Sequence, residues 1–307
     1  MKKVLLLVAV CLGLTACEKS YVENGSGETA AYGEDGENED GDDGSTVAKS
    51  KKFTFTLKGD FGDEWKAVGS RAYLAADGKD LTDVWVLDYV GGELVQQIHQ
   101  DDNSAEDFGK PVLQLAYGEH HVYFVASRGT TPALNTTAGT ITWAKPSDTF
   151  YKDYEVNVVA TSNGNRAVTL DRVATRLKLT ITDEIPATCA EVGVTPSTWY
   201  YGWNYVDGTP TALQQTERVI TVPANVISTS GELVVTIFGL SSADEWTTNV
   251  IVSGKTSAHA VIGTATITDA PFRANRTTEY SGPLFGAGGV ATMSLSSEWL
   301  DSHIGTW

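Results

Sequence analysis

The sequence predicts an all-β protein: two tandem β-sandwich domains behind an export signal and a disordered acidic tether. Three observations carry that expectation. From Lys51 onward, short runs of β-branched and aromatic residues recur, separated by Gly, Pro, Asn and Asp. Several runs alternate apolar and polar residues with period two, the repeat of a strand buried on one face. No stretch holds a helical period through three turns, which argues against alternating strands and helices.

The N-terminus carries an export signal and takes no part in the fold. Lys2 and Lys3 precede an apolar run from Val4 to Leu14, and "LTAC" follows, ending at Cys17. That is a signal peptide over residues 1–16, too short to span a bilayer. "LTAC" resembles a bacterial lipobox, which implies cleavage before Cys17 and acyl chains on its sulfur. Several chains on one residue give stable anchoring where one chain is marginal. Cys11 leaves with the signal and Cys17 is acylated, so Cys189 alone remains and no internal disulfide can form. Cys189 lies in "IPATCAEV" without a flanking glycine or histidine, as expected of a buried, inert thiol.

Residues 17–50 read as the tether. From Glu18 to Gly44 there are ten acidic residues, six glycines and one lysine. Such a segment buries too little apolar surface to order itself. A calcium-loop frame is absent, because no glycine falls at the sixth position of a usable register. The chain carries a net charge of −17, and loss of the two signal lysines leaves −19. That disfavours nucleic acid and anionic membrane surfaces as partners.

About 255 residues are left to fold. "FTFTL" places Phe53, Phe55 and Leu57 on one face and Thr54 and Thr56 on the other. In "TRLKLTIT", Leu177, Leu179 and Ile181 alternate with Arg176, Lys178 and Thr180. "DVWVLDYV" is apolar on both faces and reads as a central strand. "TSNGNR", around residue 163, is the most loop-like segment mid-chain. It divides the folded part into an N-terminal domain over 51–168 and a C-terminal domain over 169–307, each of ordinary sandwich size. No internal sequence repeat is apparent.

Catalytic signatures are missing: the chain has no HExxH, GxSxG, P-loop or dinucleotide glycine pattern. The expectation is a protein that is not an enzyme and takes no cofactor or metal. His120 and His121 are adjacent in a strand and so point to opposite faces, unable to share an ion. "DDNSAED", Asp101 to Asp107, reads as a solvated hairpin tip rather than a calcium loop. In "WYYGWNY", Trp199, Tyr201, Trp203 and Tyr205 fall at period two. If exposed they would form a sugar-stacking platform, the basis of an alternative reading as a glycan-binding surface lipoprotein. If buried they are core or interdomain packing.

The order of these parts resembles the fimbrillin family, lipoprotein pilus subunits of Bacteroidales. The lipobox, acidic tether, first amphipathic strand, Ser70-Arg71-Ala72 loop and "DYVGGELVQQI" occur in that order. "VTLDRVATRLKLTITDEIP", Val168 to Pro186, is similar to the strand at the family's domain junction, and Trp307 is similar to its aromatic C-terminus. The resemblance implies two transthyretin-like sandwiches and export to the outer membrane as a precursor anchored through lipid on Cys17. It implies cleavage between Arg71 and Ala72 by an arginine-specific protease. The first strand, with Phe53, Phe55 and Leu57, would then be displaced by a strand donated from another fimbrial subunit. The last segment, "GGVATMSLSSEWLDSHIGTW", is a candidate donor.

Overall fold

The computed structural model describes residues 49–59, 81–231, 233–286 and the backbone of 297–298. Cys17, most of the tether, Arg71, Ala72 and Trp307 lie outside the described residues. The described chain belongs to one compact unit, Val47–Trp307, and is built almost wholly of strands.

In chain order the first strands are β1 (Ser50–Gly59), β2 (Asp83–Val90), β3 (Glu93–Gln100), β4 (Val112–Ala116) and β5 (Gly118–Ser127). β6 (Ala133–Asn135), β7 (Thr140–Thr142), β8 (Thr149–Val158) and β9 (Asn165–Arg172) complete the first half. The second half comprises β10 (Ala174–Ile181), β11 (Glu191–Pro196), β12 (Tyr200–Asn204), β13 (Thr209–Leu213) and β14 (Arg218–Thr221). A 3-10 turn, Ala224–Val226, leads to β15 (Leu233–Leu240), β16 (Trp246–Lys255), β17 (Val261–Phe272), β18 (Arg276–Gly282) and β19 (Ser297–Glu298).

Alternation decides which faces close on the core. On β1, Phe53, Phe55 and Leu57 are buried, whereas Thr56 and Lys58 are exposed. On β10, Leu177, Leu179 and Ile181 are buried between partly exposed Arg176, Lys178 and Thr180. β2 is buried on both faces and lies between β3 and β5, as its continuous apolar run predicts.

The two halves share one topology. The first is ordered β3-β2-β5-β8-β9-β1-β4. The second is ordered β14-β11-β16-β17 in one sheet and β18-β10-β15 in the other, where β19 adds outside β18. Substituting each strand of the first half by its counterpart in chain order gives the second. In both, the opening strand runs parallel to the closing strand: β1 with β9, and β10 with β18. In both, it runs antiparallel to the fourth strand of this seven-strand pattern, β4 or β15.

The remaining strands pair with each other. β6 and β7 from the first half join β12 and β13 from the second in one sheet, ordered β13-β12-β7-β6. Three hydrophobic clusters result. One fills the first half around Phe53, Phe55, Phe124 and Phe150, and one fills the second around Leu177, Trp199, Val252 and Phe272. The third lies beneath the bridging sheet and draws Tyr89, Tyr123 and Trp143 from one half and Trp203, Tyr205 and Leu240 from the other.

The expected division between residues 168 and 169 falls inside β9. Val168 and Leu170 still point into the first core, so the strand runs on to Arg172 and the halves meet at Val173.

Candidate assembly site

The candidate site is the slot that holds β1. From Thr54 to Gly59 the strand pairs in parallel with β9, placing Phe55 opposite Arg166 and Leu57 opposite Val168. From Ser50 to Thr54 it pairs antiparallel with β4, placing Phe53 opposite Leu113. Beyond Thr54, the chain leading into β4 takes over that edge: Phe55 N–H donates to Pro111 O at 3.0 Å, and Leu57 N–H to Gly109 O at 3.0 Å. β1 is therefore an interior strand although it is the first of the described strands.

The side chains match this backbone placement. Phe53 and Phe55 are fully buried, and Leu57 is 2% exposed. Phe55 meets Phe124 and Tyr154 edge-on, with ring centroids 5.1 and 5.8 Å away. The Arg166 guanidinium lies 5.4 Å above the Phe53 ring. The walls of the slot are Leu113 and Leu115 on β4 and Val168 and Leu170 on β9, all buried. Gly164 allows the closest approach. A Cβ at that position would stand 2.3 Å from Lys52 O, and Gly164 O accepts from Thr54 N–H at 2.7 Å.

Phe53, Phe55 and Leu57 are thus brought together in one buried row. Cys17, Arg71 and Ala72 lie outside the described residues. The slot walls were not singled out from sequence. "VLQLA" and "AVTLD" each carry the alternation, but a parallel pairing across more than a hundred residues leaves no local mark.

The four aromatic residues do not form a platform. Trp199, Tyr201, Trp203 and Tyr205 are each at most 2% exposed, which corrects the exposed-stripe alternative. The reason is that the stripe packs in two cores. Trp199 meets Phe272 edge-on at 4.9 Å and donates its indole N–H to Phe238 O at 2.9 Å, inside the second half. Trp203 and Tyr205 belong to the bridging cluster, where the Tyr205 hydroxyl is 2.9 Å from that of Tyr89. Gly202, between Tyr201 and Trp203, lets β12 close against its neighbours, since a Cβ there would stand 2.9 Å from Thr142 Cγ2.

Other side chains weighed from sequence take structural places. Cys189 is buried and burial pushes its thiol pKa up, away from reactivity. In the acidic loop, the exposed Asp102 accepts from the backbone N–H and hydroxyl of Ser104, so its carboxyl pKa falls. His120 is buried, with Nδ1 2.7 Å from Asp88 and Nε2 2.9 Å from Ala116 O, while His121 faces solvent.

No protein-family model matches the chain, and no curated protein matches its sequence. Solved structures do match its fold. An inferred adhesin of Bacteroides ovatus aligns over 80% of this chain and 95% of its own, at 10% identity and a TM-score of 0.50. An inferred polysaccharide-binding protein of Bacteroides thetaiotaomicron aligns over 75% and 89%, at 11% identity and a TM-score of 0.50. A C-terminally truncated tip fimbrial protein of Porphyromonas gingivalis aligns over 80% and 100%, at 10% identity and a looser TM-score of 0.41. At these identities the likeness to the first two is one of fold alone, a β-rich chain.

Proposed function

We propose that this chain is a structural subunit of a cell-surface fimbria. It is exported as a precursor anchored in the outer membrane through lipid on Cys17. It assembles when a strand from another subunit takes the place of β1. The observation that carries this reading is the position of β1: it is the first of the described strands, yet fills an interior slot bonded along both edges. Cleavage at Arg71, between β1 and β2, would leave β1 held only by noncovalent contacts.

The energetics favour replacement over vacancy. Burial of Phe53, Phe55 and Leu57 is worth roughly 5–9 kcal/mol as an upper estimate. That is comparable to the whole stability of a typical domain. A subunit stripped of the strand would expose an apolar trough and two unpaired edges, which a donated strand can cover by β-augmentation. The division into two transthyretin-like sandwiches belongs to the same reading, with exchange confined to the first. Shaft and tip subunits would exchange β1, whereas an anchor would keep it. The glycan-platform alternative loses its support, because its four rings are buried.

The test is limited digestion of the purified precursor with an arginine-specific protease. One early cut after Arg71 is expected, then slow oligomerisation seen by size. Arg71→Ala should fold normally and fail to assemble. A first cut elsewhere, or a core that stays monomeric after β1 has left, would overturn the proposal.

A further inference from the structure

A second constellation lies on the outer face of β5 and β8. His121 and Glu155 are direct cross-strand partners, and Asp153 lies two residues from Glu155 on the same face. One imidazole nitrogen and two carboxylate oxygens from these residues lie within 4.8 Å of one another. His121 Nδ1 is 3.3 Å from Asp153 Oδ1. Ligands at about 2.0–2.1 Å around a tetrahedral zinc ion stand roughly 3.3 Å apart, so this edge already has the required length.

Two further observations single out this group. Among the described residues, neither Asp153 nor Glu155 is paired with a lysine or arginine. Lys152, on the opposite face, is 3.0 Å from Asp171 instead. Beside the group stands Tyr123, opposite Asp153 in the register, its ring stacked 6.0 Å from that of His121. Tyr123 is 5% exposed, and its hydroxyl is not among the buried atoms left without a partner, so it reaches the surface. A phenol so placed can donate to a water held next to the three ligands.

We propose that His121, Asp153 and Glu155 form a binding site for a divalent transition metal of the zinc class, with water completing the coordination. One imidazole with two carboxylates suits Zn2+ or Co2+ better than Ca2+, which takes six to eight oxygens. Both strands are long and paired along their length, so the ligands are held without a folding step. The bound ion would tie β5 to β8 at the margin of the bridging cluster, which includes Tyr123. This site does not depend on the fimbrial reading.

The experiment is titration of the purified full chain with CoCl2, followed by visible absorption, and competition by ZnCl2. Saturable binding of one equivalent is expected, with displacement by Zn2+ and none by Ca2+. His121→Ala should remove binding while leaving the circular dichroism spectrum unchanged, since the side chain is exposed. Loss of a carboxylate ligand in Asp153→Asn or Glu155→Gln should weaken binding by about tenfold or more. Absence of saturable absorption, or a His121→Ala protein that binds as well as the parent, would overturn the site.

Discussion

Phe55 of β1 and Phe124 of β5 meet across the first core with their rings 62° apart in plane, one edge against the other's face. The contact ties the opening strand to β5, three places away in the same strand order, so β1 is packed as core rather than laid on as cover. Phe55→Ala should therefore cost about 3–5 kcal/mol, the usual range for a buried phenylalanine. Thr56→Ala, one residue away on the exposed face, should change stability by at most about 0.5 kcal/mol. Urea unfolding of the two variants measures the contrast, and equal effects would mean that β1 is not held as described.

Gly164 gives a sharper probe of the slot, because it touches β1 through backbone alone. Gly164→Ala brings a methyl group against Lys52 O, and the neighbouring strand must move. The expected loss is about 1–3 kcal/mol, as for overpacking elsewhere. Amide exchange measured by mass spectrometry should quicken in the peptide covering residues 50–59 and stay unchanged in β10 and β18. Unaltered protection of β1 would contradict the geometry.

Alkaline pH should loosen the fold through its buried phenols. Burial pushes Tyr280 up to about 12, and raises Tyr151 and Tyr205 further. In the unfolded chain these groups ionise near 10. Above that pH the unfolded state gives up protons that the folded state retains, so stability falls as pH rises. The contribution is complete below pH 10 and, for Tyr280, lost by about pH 12. Absorbance at 295 nm should show late-titrating tyrosines that ionise only as the fold opens, and Tyr280→Phe should lessen the decline.

The sequence carried the strands whose faces differ in polarity. β1, β2 and β10 could be read from the positions of Phe53, Val84 and Leu177 and their neighbours, because period-two alternation is local. What joins the strands was not legible. The correspondence of the two halves lives in pairing order, and β1 and β10 share alternation without sharing residues. β6 and β7 are three residues each, too short to show any period, so the bridging sheet could not be foreseen. That sheet decides the fate of the aromatic stripe: Trp203 and Tyr205 would face water without it. Likewise, His121 could be excluded as a partner of His120 from adjacency, but its meeting with Asp153 and Glu155 needs the register of β5 on β8.

The parallel course of β1 and β9 sets a direction for the molecule. Both strands travel the same way across the first half, so the chain arrives at one pole with Ser50 and departs from the other with Arg172. Val173 alone separates that departure from β10. The second half is therefore launched from the pole opposite the one at which β1 begins.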